Sequence, residues 1–113
     1  MQSRVCNGDV HKDDEDGEEV LKKYLKWCRK THGDRDERTL DVINTYGAFL
    51  ELLGRLGEAE PLYRETLDGR KRTLGNEHPD TLGSISNLAS LLLHQGKYDE
   101  AEPLFREIGR AHV

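Results

Sequence analysis

The sequence predicts an all-α protein, an antiparallel helix-hairpin solenoid of about two and a half repeats. The first observation is an internal repeat: residues 58–65 read EAEPLYRE, and residues 100–107, 42 positions later, read EAEPLFRE. The second is the helical spacing of apolar residues within a copy, with Ile85, Leu88 and Leu92 at i, i+3 and i+7. A fixed period in this range indicates stacked copies of one supersecondary unit.

The composition of the chain argues against some classes of binding partner. The chain has 22 acidic and 17 basic residues, and this net negative charge argues against nucleic acid or an anionic membrane surface as the partner. No apolar stretch approaches the roughly 20 residues that span a bilayer, and residues 1–16 lack the apolar segment of a signal peptide. We therefore expect a cytoplasmic protein whose two cysteines, Cys6 and Cys28, stay reduced.

The first elements are an acidic segment and an unpaired helix. Residues 1–16 end in the run DDED and are expected to form a disordered, solvated tail. Stepping back by one period from the second helix of the next copy gives residues 17–31, which we expect to be a lone second helix with Val20, Tyr24 and Leu25 on its apolar stripe. Trp27 lies off that stripe and is expected to cover the exposed end of the array.

Two full repeats follow, over residues 39–73 and 81–107. In the second, Asp80 or Thr81 is expected to cap the start of the first helix, and Gly96 to end it in a left-handed conformation. The turn that follows is so short that the next helix must run antiparallel. The second helix is expected to pack through a stripe of five residues: Tyr98, Ala101, Leu104, Phe105 and Ile108. Ser84 lies off the stripe of the first helix, so we expect its replacement by alanine to have little effect.

Small residues are expected where the two helices of a hairpin approach most closely, because larger side chains would separate them. These residues are Gly47, Ala59, Ala89 and Ala101. Residues 108–113 depart from the repeat pattern, and residues 107–113 read like a translated sequencing adapter, so 108–113 are expected to be a non-native tail.

The order of these residues resembles the tetratricopeptide repeat. The resemblance rests on a large residue, leucine, a small residue, glycine, tyrosine, alanine and an aromatic in the family's sequence order, here Ile85, Leu88, Ala89, Gly96, Tyr98, Ala101 and Phe105. The familiar unit has about 34 residues, whereas the 42-residue unit with LGNEHPDTL ahead of NLA resembles the repeats of kinesin light chains and nephrocystin-3-like proteins.

The resemblance implies a binding surface for a protein or peptide ligand. In such stacks the first helices of successive hairpins line a concave groove, and the residues off the packing stripe face it. The candidate peptide-binding residues are Asp41, Asn44, Glu51, Asn87, Ser90 and His94, with Thr45, Ala48, Gly83 and Ser86 beside them. Asn87 matches the second asparagine of the Asn-Asn-Leu-Ala motif in kinesin light chain repeats. The alternative is that these polar residues only solvate a helix face.

The resemblance also indicates where the lysine and asparagine residues of a chaperone-type carboxylate clamp would stand. These positions are filled by Asn44, Ala48, Ser86 and Ser90, which disfavours recognition of a C-terminal carboxylate.

Residues with catalytic or metal-binding chemistry are sparse. Cys28 and His32 have the spacing of half a zinc site without a second pair, and His78-Pro79-Asp80 has the composition of a turn. The run Arg70-Lys71-Arg72 is expected to be a solvated helix end, with a docking patch for an acidic partner as the alternative. We therefore expect no catalysis, no cofactor and no metal.

The sequence thus favours a non-catalytic interaction module. An anonymous array in a larger scaffold and a regulatory segment of a larger enzyme or NTPase stay open as alternatives. Because both ends of the array would carry uncovered apolar stripes, non-specific self-association through them is also expected.

Overall fold

The computed structural model describes residues 3–111, and side chains for residues 17–110. This part of the chain contains helices and no strand, so the predicted all-α fold is confirmed. The helices are α1 (Ser3–His32), α2 (Glu37–Leu52), α3 (Leu56–Leu74), α4 (Pro79–His94) and α5 (Tyr98–Ala111). Each helix packs against the next, so that α2 with α3 and α4 with α5 form two hairpins and α1 lies against α2.

Glycines end the first helix of each hairpin. Gly54 follows α2 with φ +82° and Gly96 follows α4 with φ +79°, as predicted for Gly96, because this left-handed region costs glycine no side-chain clash. At the other end the prediction is wrong. The N-cap of α4 is His78, whose ring Nδ1 accepts a hydrogen bond from the Asp80 N–H at 3.0 Å, so the helix begins two residues before Thr81.

The first helix is longer than predicted. It runs continuously from Ser3, through most of the segment expected to be a disordered tail and through the lone helix expected at residues 17–31. Residues 3–16 contain no proline, and a helix that is already formed gains one hydrogen bond for each residue added. At the other end α5 includes residues 108–111 of the expected non-native tail, and residues 112–113 lie outside the described part.

The core has two parts. One lies between α3, α4, α5 and the end of α2, around Leu50, Tyr63 and Leu88, and the other between α1 and α2, around Cys28 and Ile43. The predicted small residues lie at close approaches: Ala59 and Ala89 are fully buried, and Ala101 nearly so. At Gly47 an added Cβ would lie 2.9 Å from Cε1 of Tyr63. The prediction for these positions is confirmed.

Several predicted packing residues are exposed instead. On α1 only Leu25 of the expected stripe is buried, whereas Val20 is 65 % and Tyr24 51 % exposed; on α5, Tyr98 and Phe105 are also exposed. The reason is positional. The α3 residue equivalent to Val20, Leu62, is covered by α2, but none of the helices described here lies over the same face of α1.

Candidate functional site

Contacts repeated at the 42-residue period fix the first helix of each hairpin on the preceding helix. The Thr39 hydroxyl donates to the Cys28 carbonyl at 3.2 Å, and the Thr81 hydroxyl donates to the Arg70 carbonyl at 3.3 Å. Both threonines are fully buried. Because the same contact recurs, α2 sits on α1 as α4 sits on α3.

The second helices are joined by ion pairs that also repeat. Arg29 of α1 contacts Glu65 of α3 at 2.6 Å, and one period later Lys71 of α3 contacts Glu107 of α5 at 3.3 Å. These links set the spacing of α1, α3 and α5 on one side of the array.

A second ion pair also recurs after one period. Glu18 contacts Arg55 at 2.8 Å, and the equivalent residues, Glu60 and Lys97, are 3.0 Å apart. The Arg55 hydrogen bonds and that of the Tyr46 hydroxyl lower the Glu18 pKa to about 2. Burial and the bond to Glu18 raise the pKa of Tyr46 to about 12.

The opposite side is formed by α2 and α4, which carry all six candidate residues; we call it the first-helix face. Two hydrogen bonds cross it. Asn87 Nδ2 donates to Asn44 Oδ1 at 3.2 Å, and His94 Nδ1 lies 3.3 Å from Glu51 Oε2. Glu51 also accepts the Tyr63 hydroxyl at 2.8 Å, which anchors it to the hairpin core.

Each pair joins residues 43 positions apart, one more than the repeat period. The sequence comparison aligned Asn87 with Thr45, and this alignment gave no sign of the bond to Asn44. The offset arises because side chains on two stacked helices meet between equivalent positions and not at them.

The other candidates are distributed along the same face. Asp41 is bonded to Arg70 rather than to its neighbours on α4, Ser90 is half-buried, and Thr45 is exposed. Of the surrounding residues, Gly83 and Ser86 are exposed and Ala48 is half-buried. The structure therefore brings together four of the six candidates in two pairs, and leaves Asp41 and Ser90 separate from them.

A buried arginine at one end of the face was missed by the sequence analysis. Arg70 is 7 % exposed, and its guanidinium contacts Asp41 at 2.6 Å and Glu37 at 3.1 Å on α2, and Ser84 Oγ at 2.8 Å on α4. The expected solvated helix end is therefore wrong for Arg70. The position carried one signal, because its equivalent one period earlier is the apolar-face residue Cys28.

The prediction that Ser84 lies off the packing surface is also wrong. It is 1 % exposed, and its hydroxyl accepts from Arg70, so it belongs to the interface between repeats and not to the surface. Burial raises the pKa of the nearby Glu37 carboxyl, and the Arg70 charge opposes that shift.

The chemistry of the first-helix face suits recognition. Asparagine amides both donate and accept hydrogen bonds, and the exposed carboxylates accept them. Beside it, Leu21, Tyr24 and Val42 help line a cavity of roughly 280 Å³. Within residues 17–110 no group of three His, Cys, Asp or Glu side chains is arranged to hold a metal ion, and Cys28 is fully buried.

Comparison with known proteins identifies the family. The tetratricopeptide repeat model matches residues 39–108, which is more than half of the chain, and the chain belongs to this family. Repeats of this kind generally mediate protein–protein interaction and are typically non-catalytic. No curated protein matches the chain. None of the helices in the described part is long and apolar enough to cross a membrane.

Proposed function

We propose that this chain is a non-catalytic module that binds an extended peptide, or an extended segment of a partner protein, on the first-helix face. The resemblance of its 42-residue unit to kinesin light chain repeats supports this reading, and a cytoplasmic location is part of the proposal. The proposal assigns contact roles to Asn44 and Asn87 at the centre of the face, with Asp41, Glu51, Ser90 and His94 around them.

The Asn44–Asn87 pair is the observation that carries the proposal. One Nδ2 hydrogen of Asn87 is used in the bond to Asn44 Oδ1. This leaves the second N–H and the carbonyl of Asn87, and the NH₂ of Asn44, available to the backbone of a ligand. A peptide strand has the same donors and acceptors at regular intervals, so paired amides suit it without specifying its side chains.

Charge indicates the class of peptide. Glu37, Asp41 and Glu51 carry carboxylates on this face. Of the two arginines beside them, Arg70 is buried and shared between Glu37 and Asp41, and Arg38 is paired with Asp36. The surplus of negative charge favours a neutral or basic segment and disfavours acidic peptides and nucleic acid.

A displayed random peptide library provides the test. After selection on the 113-residue chain, affinities of the chosen peptides are measured for wild type, Asn87→Ala and the matched control Asn76→Ala, which alters an exposed asparagine in the α3–α4 turn. Loss of a hydrogen-bonding amide at a contact is expected to weaken binding by about 1–2 kcal/mol without changing the melting temperature. Equal affinities for all three proteins would refute a role for Asn87.

A further inference from the structure

We propose that helix α1 is a dimerisation element, in which α1 packs antiparallel against α1 of a second copy of this chain. The surface involved is the exposed stripe of Val20, Tyr24 and Trp27, flanked by Lys23 and Lys30; we call it the α1 seam. It lies on a different helix from the first-helix face, and the inference does not depend on the proposed function.

The α1 seam is an apolar stripe without a cover in the described part of the molecule. Val20, Tyr24 and Trp27 are 65 %, 51 % and 52 % exposed, and their i, i+4, i+7 spacing places them on one face of the helix. The rings of Tyr24 and Trp27 stack with centroids 5.9 Å apart, and Trp27 packs edge-on to His32 at 5.4 Å. The stacking holds the aromatic surface in place before any partner binds.

The repeat itself indicates that this surface is not built for a preceding hairpin. One period later Trp27 is replaced by Gly69, and there Leu40 of α2 would lie 2.7 Å from an added Cβ. A first helix placed on α1 as α2 is placed on α3, with a leucine at the position of Leu40, would therefore collide with the indole of Trp27. The chain before residue 17 does not supply such a helix either, since it continues α1 back to Ser3.

Charge along α1 identifies the partner as a second copy. Residues 9–19 contain seven acids and one lysine, whereas residues 20–32 contain five bases and no acid. An antiparallel pair centred on Val20, at the N-terminal end of the α1 seam, places the acidic half of each helix on the basic half of the other. A self-complementary patch of this kind is what a two-fold symmetric interface requires.

Three lysines of the basic half, Lys23, Lys26 and Lys30, have no ion-pair partner among residues 17–110, and two of them, Lys23 and Lys30, flank the α1 seam. Glu18 and Arg29 are committed to Arg55 and Glu65, but none of the ion pairs among residues 17–110 includes Lys23 or Lys30. The equivalents of these lysines on α3 are Glu65 and Arg72, so the uniformly basic flank is a property of α1 alone.

Sedimentation velocity across micromolar concentrations tests the proposal on the 113-residue chain. Wild type is expected to shift from monomer to dimer, less so at high salt because screening weakens the charge contacts. Lys23→Glu/Lys30→Glu is expected to raise the dimer dissociation constant by about tenfold or more, since like charges then face each other. The matched control, Arg35→Glu/Arg110→Glu, makes the same change in net charge away from α1 and should stay near wild type.

Exchanging charges between two variants distinguishes the loss of this interface from the loss of folding. Asp13→Lys/Asp16→Lys is expected to be monomeric alone, and an equimolar mixture with Lys23→Glu/Lys30→Glu is expected to restore the dimer. Fluorescence of Trp27, the single tryptophan, should shift to shorter wavelength as the dimer forms. A wild-type monomer at every concentration overturns the proposal, as does a dimer that neither charge reversal weakens, or a mixture that stays monomeric.

Discussion

At the scale of single residues, the structure shows that burial and not charge decides the role of Arg70. Its guanidinium joins α3 to two acids of α2 and to Ser84 of α4, while Nε is buried without a hydrogen-bond partner among the described atoms. A buried charge of this kind depends on its remaining contacts, because removing one leaves a polar group that water cannot reach.

Ser84→Ala is therefore expected to destabilise the fold by about 1–3 kcal/mol, the cost of leaving a buried charged donor unsatisfied. Ser86→Ala, on the exposed face of the same helix, should change stability by less than about 0.5 kcal/mol. Urea denaturation monitored by circular dichroism measures both. Identical midpoints for the two variants would contradict the role assigned to Ser84.

Glu18 predicts a pH dependence. Because the pKa of its carboxyl falls from 4.5 to about 2 in the folded chain, the ionised form is favoured by folding. The stabilisation is complete above the unfolded pKa of 4.5 and is lost as pH falls toward 2. Glu18→Gln is expected to lower the free energy of unfolding by about 1–2 kcal/mol at neutral pH.

That difference between wild type and Glu18→Gln should shrink as pH falls below about 4.5, where wild type loses the same interaction. Chemical denaturation at a series of pH values measures it, with Glu19→Gln as the control because Glu19 is the exposed neighbour on α1. A difference that stays constant down to acid pH would argue against the ionised carboxylate as the cause.

At the scale of helices, two glycines in first helices have opposite roles. At Gly47 of α2 an added Cβ would lie 2.9 and 3.0 Å from two ring atoms of the buried Tyr63, whereas at Gly83 of α4 it would meet nothing within 4 Å. The first glycine is required for hairpin packing, and the second only costs helix propensity.

Gly47→Ala is accordingly expected to destabilise the chain by about 1–3 kcal/mol through overpacking. Gly83→Ala should stabilise it by about 0.5–1 kcal/mol, the usual gain for alanine over glycine inside a helix. Thermal melts of the two variants beside wild type provide the comparison. Shifts of the same sign would show that close packing at Gly47 is not the controlling factor.

At the scale of the whole molecule, the sequence predicts the features that recur in each repeat and does not predict those that occur once. The period and the helical spacing were enough for the hairpins, for the turn at Gly96 and for the small residues at close approach. They did not predict contacts between residues that are not one period apart, such as Asn44 with Asn87. They also did not predict the burial of Arg70, because a charged residue is usually exposed. The exposure of Val20 and Phe105 depends on which neighbours are present, and no local pattern encodes that.

A peptide bound on the first-helix face, as proposed for this member of the tetratricopeptide repeat family, changes the surroundings of backbone amides on α2 and α4. Amide chemical shifts of the ¹⁵N-labelled chain, recorded while a library-selected peptide is added, measure where these changes occur. We expect the perturbed amides to cluster on α2 and α4 around Asn44 and Asn87, with little change along α3 and α5. Perturbations centred on α3 and α5, with α2 and α4 unchanged, would rule out the first-helix face as the binding surface.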